Sequence, residues 1–268
     1  MKRLLILAAA SLIAMSAPAH SLTWSFPAKK GRQQQWLTAG IRGTVNNTWL
    51  LNKNMQQDKN MKLVPSIGFS GGIMIGYHMN NIMAINVEGL YSTYSQRYKD
   101  GEQDTITWTA RTDLAYIEIP ILLRFDFENY KYLEFGVRLG MLQDARYSYT
   151  NDLFPAFNYS NEPAKDPVSG ESHFEKKNTA LLFGWGGGIW GNGGLLISGG
   201  LRFTYGLTDI ISEAGGRGQD YMMSDGSSKA YTPTHTATVG FHLIADFDIG
   251  WFVSSSCGRN HKFMLFSH

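Results

Sequence analysis

Tyr116-Ile117-Glu118-Ile119-Pro120-Ile121-Leu122-Leu123-Arg124-Phe125-Asp126-Phe127 divides cleanly by parity. Ile117, Ile119, Ile121, Leu123, Phe125 and Phe127 fall on one face. Tyr116, Glu118, Pro120, Leu122, Arg124 and Asp126 fall on the other. Successive side chains of a strand point to opposite faces, so the stretch reads as one strand with an apolar face and a charged one. Two architectures use such a strand. A soluble β fold turns the polar face to water. A membrane barrel turns the apolar face to lipid and keeps the charges in its lumen.

The flanking sequence decides between them. Seven more stretches alternate in the same way: Leu37–Val45, Ile67–Tyr77, Met83–Tyr91, Leu133–Met141, Leu181–Ile189, Leu195–Tyr205 and Val239–Ile249. The connections alternate too. Asn46–Lys62, Gln96–Thr107, residues 146–178 and Thr208–Thr236 are long and polar. His78–Asn81, Glu128–Lys131 and Gly191–Gly194 are tight, the last built from Gly and Asn, which enter positive φ cheaply. The pattern predicts an all-β protein: an eight-stranded antiparallel up-and-down transmembrane β-barrel with short periplasmic turns and long extracellular loops. A Greek-key sandwich has no reason to sort its loops by length.

Charge placement points the same way. Glu88, Glu118, Arg124, Glu134, Arg138, Arg202 and Asp246 all have the inward parity of their strands. The interior of an eight-stranded barrel is about filled by side chains. A lone buried charge there costs several kcal/mol, so the mixture of signs predicts a lumen ion-pair network. Pro120 sits in a strand that must pair on both sides and cannot donate to the ladder, so a bulge or a lost hydrogen bond is expected there.

Residues 1–21 read as a secretory signal peptide: Lys2 and Arg3, then an apolar run from Leu4 to Ala14, then small residues. Residues 22–35 read as a short periplasmic leader, 36–252 as the barrel and 253–268 as an irregular C-terminal tail. Cys257, the single cysteine, forms no internal disulfide and lies far from the cleavage site, which excludes a lipoprotein anchor. A net charge of +2 excludes a nucleic-acid partner. The 29 glycines and 13 % aromatic content are materials of hairpins and aromatic girdles. Trp24, Trp36, Trp49, Trp108, Trp185, Trp190 and Trp251 are read as that girdle.

The Tyr116–Phe125 segment resembles the Tyr-(Leu/Ile)-Glu-(Leu/Ile)-Pro-Leu-Leu segment of PorT-like outer-membrane β-barrel proteins. Tyr132-Leu133-Glu134-Phe135-Gly136 and Arg202-Phe203-Thr204-Tyr205-Gly206-Leu207-Thr208-Asp209-Ile210 are similar to two further stretches of that family. The resemblance covers roughly Gly40 to Gly250 and includes Pro120. It implies an eight-stranded barrel in a Gram-negative outer membrane and supplies no catalytic motif. Its members include proteins linked to type IX secretion. Outer-membrane barrels usually end on an aromatic residue read by the assembly machinery; here Phe247, Trp251 and Phe252 are followed by the tail.

Candidate sites are few. Gly186, Gly188 and Gly191 satisfy G-x-G-x-x-G, but a β-patterned segment follows where a dinucleotide site needs a helix. The histidines at 20, 78, 173, 235, 242, 261 and 268 show no metal-ligand spacing. His242 is predicted to face inward near Asp246, as a member of the lumen network rather than as a catalytic base. The expected function is therefore non-enzymatic, with no cofactor and no metal: a structural, envelope or secretion-accessory role. The expected partners are outer-membrane lipid, the barrel assembly machinery and secretion or envelope proteins, met through loops 146–178 and 208–236. The alternatives are a lipid-modifying outer-membrane barrel enzyme and a soluble secreted ligand-binding β-barrel.

Overall fold

The computed structural model describes residues 35–58, 61–100, 108–127, 130–192, 194–223, 226–254 and 261–265. The signal over 1–21, the leader up to Gln34 and Cys257 lie outside the described residues. Eight long strands form the framework: β1 (Gln35–Leu51), β2 (Ser66–His78), β3 (Met83–Asp100), β4 (Trp108–Asp126), β5 (Lys131–Asn151), β6 (Lys177–Asn192), β7 (Leu195–Gly206) and β8 (His235–Ser254). Each pairs antiparallel with its neighbours in chain order, and β8 pairs back onto β1 from Gln35↔Phe252 to Leu51↔His235. The ring closes on itself, so free ladder edges among the described residues are confined to strand stretches that outrun their neighbours.

The wall is apolar outside and polar inside. Ile41, Val45, Ile73, Ile75, Ile119, Ile121, Phe135, Val137, Leu181 and Phe183 are all exposed on the outer face. Arg42, Glu88, Asn86, Glu118, Glu134, Arg138, Thr236 and His242 are all buried on the inner one. This inverts a soluble protein, in which large exposed apolar surface is rare.

The strands run further than the alternation suggests. The loop expectations for Asn46–Leu51, Gln96–Asp100 and Arg146–Asn151 are corrected: these residues are paired strand. The predicted long loop before β2 holds a further strand, Met61–Val64, paired with the far end of β3. The physical reason is that past the apolar belt the outward face no longer has to be apolar. The sequence period fades while the backbone ladder continues. The tail expectation is corrected as well. His261–Leu265 pairs antiparallel with Gly250–Ser254, so 253–268 is not wholly irregular. β1 already occupies one edge of Gly250–Phe252, so this strand takes the edge that β7 leaves below its turn.

At Pro120 the β4–β5 register runs unbroken, Ile119↔Leu139, Pro120↔Arg138, Ile121↔Val137. On the β3 side the ladder goes from Val87↔Ile121 to Leu90↔Glu118 and omits the Glu88/Pro120 and Gly89/Ile119 pairs without changing register. Pro120 therefore interrupts pairing and makes no bulge, as its missing N–H requires. The register shift of this strand pair lies at Ala115 and Tyr116, where Gln143 of β5 is the extra residue.

Candidate functional site

The lumen side chains stack in three layers between the short-turn end and the long-loop end. Nearest the short turns, Arg124 donates from Nε to Asp126 Oδ1 at 2.7 Å, lies 3.7 Å from Asp246 Oδ2 and covers the Tyr132 ring at 4.1 Å. The middle layer takes one residue from each odd-numbered strand: Arg42, Glu88, Glu134 and Arg202. Arg202 donates from Nη1 to Glu88 Oε2 at 2.8 Å and from Nε to Glu134 Oε1 at 2.9 Å. Arg42 Nη2 lies 3.1 Å from Glu88 Oε1, and its Nη1 donates to Glu134 Oε1 at 3.2 Å. In the third layer Glu118 accepts from Tyr94 Oη at 2.6 Å and from Ser92 Oγ at 2.7 Å, with Arg138 Nη1 3.2 Å away.

Every predicted lumen residue is thus buried and charge-paired. Arg42 was missing from the sequence list, although it is the one charge of strand β1 and shares parity with Gly40, Thr44 and Asn46. Arg42 completes a two-cation, two-carboxylate square in which each guanidinium meets both carboxylates. Glycines make room for it. A Cβ at Gly184 would fall 2.6 Å from Glu134 Oε1, and one at Gly186, the first glycine of the G-x-G-x-x-G run, would collide with the Tyr132 hydroxyl in the lumen.

Above the layers an apolar plug closes the barrel. Leu50, Tyr94, Leu114, Tyr116 and Ala145 from the wall pack with Ala164, Phe174 and Ile210 from the two longest loops. Those loops are zipped together: Glu175 N donates to Ile210 O at 2.8 Å and Ser212 N to His173 O at 3.0 Å. Asn52 Nδ2 ties the first loop to the last, donating to Thr232 O and Thr234 Oγ1 at 2.9 Å each.

A closed ring, an apolar outer wall and a charge-paired interior are the marks of a barrel that sits in lipid. The family model for the outer membrane protein beta-barrel domain matches residues 32–212, more than half of the chain. The chain belongs to the outer membrane protein beta-barrel domain family. Its place is the outer membrane, with the short turns periplasmic and the long loops outside. Solved structures similar to this barrel include Neisserial surface protein A (13 % identity, TM-score 0.36, 78 % of this chain and 95 % of that one). OprG from Pseudomonas aeruginosa is similar at 11 % identity and TM-score 0.36, over 81 % of this chain and 95 % of that one. The outer membrane protein AlkL, solved in DMPC bilayers, is similar at 14 % identity and TM-score 0.40, over 88 % and 99 %. Among the curated proteins none matches.

Two chemical consequences follow for this outer-membrane barrel. His242 is fully buried, and its Nε2 is 2.6 Å from Tyr132 Oη. It faces the lumen and is packed there against Tyr132. The barrel is also sealed twice, by the plug and by the middle layer, where the side chains of Arg42, Glu88 and Glu134 have no solvent exposure. Deleting residues 155–175 takes Ala164 and Phe174 out of the plug but leaves that layer. Planar-bilayer recordings of the deletion are therefore expected to show no persistent conductance. A stable open channel would mean that the charged layer does not span the lumen.

Proposed function

We propose that this barrel is a non-catalytic envelope protein whose working surface lies on its outer loops, in a structural or secretion-accessory role of the PorT-like kind. The export signal over 1–21 belongs to the same reading, as do the assembly machinery and secretion or envelope proteins as partners. The observation that carries it is an apolar knob at the end of β5. Leu153, Phe154 and Phe157 are 66 %, 60 % and 70 % exposed. Ten strand residues separate them from Met141 at the top of the apolar belt. At about 3.3 Å per residue and a tilt near 40°, that holds the knob about 25 Å above the lipid.

The knob is preorganised. Asn151 Oδ1 accepts from Leu153 N at 2.9 Å and Phe154 N at 3.1 Å, and Asn158 Oδ1 accepts from Asn151 N at 2.6 Å. The strand Tyr159–Pro163 pairs back onto β5, and Trp108, Tyr149 and Tyr159 stack beneath. Rigid apolar surface held in water fits an interaction site. The test is a photocrosslinking residue at Phe157 in intact cells, with the lipid-facing Phe183 as control. A defined protein adduct from 157 and none from 183 is expected, and it should vanish in a Leu153→Ser/Phe154→Ser/Phe157→Ser variant that still folds. Equal labelling from both sites, or none, would remove the reading.

A further inference from the structure

The outward wall of β3, β4 and β5 changes character above the apolar belt. The registers define its rows. Tyr91, Ile117 and Met141 form the last apolar row, exposed by 55 %, 40 % and 49 %. Then come Thr93–Ala115–Asp144, Ser95–Asp113–Arg146, Arg97–Arg111–Ser148 and Lys99–Thr109–Thr150. The strand Met61–Val64 adds Val64 beside Arg97 and Lys62 beside Lys99. Residues directly opposed across antiparallel strands share a face with Cβ atoms about 5 Å apart. Arg97 thus faces Arg111, and Lys62 faces Lys99. Like charges so opposed destabilise a sheet.

The two carboxylates on this wall do not resolve the repulsion. Asp113 engages Arg111 at 2.8 Å and Asp144 engages Arg146 at 2.6 Å. Lys62, Arg97 and Lys99 take part in no ion pair among the described residues. Among the described residues of this wall, five cations against two carboxylates leave three positive charges in excess. Beside the cations lies a recess of about 300 Å³, lined by Ile67, Phe69, Thr93, Arg111, Asp144 and Arg146. It joins the apolar belt to the charged rows.

Height selects the ligand. The outward positions of β4 from Ala115 to Phe125 span about 25 Å after tilt, the height of an outer-membrane apolar band. Arg97 and Arg111 then stand about 10 Å above the hydrocarbon, among the headgroups of the outer leaflet. We propose that this wall binds the phosphorylated sugar headgroup of an outer-leaflet glycolipid, lipopolysaccharide in an outer membrane. Arg97 and Arg111 clamp a phosphate between them, guanidinium groups being suited to bidentate phosphate contact. Asp113 and Asp144 hold Arg111 and Arg146 in place and accept from sugar hydroxyls. An acyl chain lies along Ile67 and Phe69.

The experiment titrates purified, folded protein in detergent with lipopolysaccharide and follows the temperature at which the folded band is lost on an unboiled gel. The wild type is expected to be stabilised, and dephosphorylated lipopolysaccharide should not stabilise it. Arg97→Ser/Lys99→Ser/Arg111→Ser should need about tenfold more lipopolysaccharide for half the effect. If that variant does not fold, Arg97→Ser serves alone, because the fold makes no use of its charge. Arg97→Lys should keep most of the effect. Equal stabilisation of wild type and variant overturns the site, as does equal stabilisation by the dephosphorylated lipid or none by either.

Discussion

Arg202→Met is expected to cost the barrel about 3–5 kcal/mol, because it strands a buried charge. Arg202 is the hub of the middle layer and contacts both Glu88 and Glu134, at 2.8 and 2.6 Å. Without it two carboxylates face Arg42 alone, in a lumen where their side chains have no solvent exposure. Arg42 cannot satisfy both, since its Nη2 already divides between Glu88 at 3.1 Å and Glu134 at 3.2 Å. The double variant Arg202→Met/Glu88→Gln leaves one cation and one anion, Arg42 and Glu134. It is expected to recover most of the loss. Urea unfolding in lipid vesicles, read by gel mobility, measures both. A cost below about 1 kcal/mol for the single variant would mean that water reaches the layer and screens it.

The parity of Tyr116–Phe127 was legible because lipid forces one face to be apolar over a whole strand, and the sorting of long and short loops gave the ring. The inward placement of Glu88, Glu134 and Arg202 was legible from the same parity. Which charges meet was not. Arg42, Glu88, Glu134 and Arg202 lie on β1, β3, β5 and β7, and the stagger that brings them to one height is a property of the closed barrel. Arg42 itself could have been found, because a lone charge of inward parity in a Gly- and Thr-rich strand has no other place to go. The outer extensions carried no such signal. Gln96–Asp100 and Arg146–Asn151 lie beyond the hydrocarbon, where nothing requires the outward face to be apolar, so they read as loops while their backbones stay paired. The plug was hidden for another reason. Ala164, Phe174 and Ile210 are isolated apolar residues in polar loops, brought together only by tertiary contacts.

An arginine scan along the outward positions of β4 should give a peaked profile. Ile121→Arg is expected to cost about 2–4 kcal/mol, with Ile119→Arg close to it, and Ala115→Arg and Phe125→Arg about 0–1 kcal/mol. Ile119 and Ile121 are 41 % and 42 % exposed on a wall whose neighbours at that height are Val87, Val137 and Leu139. In lipid an arginine there must bend toward the interface or thin the membrane, and either costs more toward the midplane. In water the same exposure would make the substitution nearly neutral. The profile therefore measures the depth of each row, which the exposures alone do not. It also bears on the cationic wall. Arg111 lies four residues beyond Ala115, so if the cost has fallen to nothing at Ala115, Arg111 and Arg97 stand in the headgroup layer where a phosphate can meet them. If the peak were instead centred near Ala115, those arginines would lie within the hydrocarbon, and their like-charge opposition would need a different explanation.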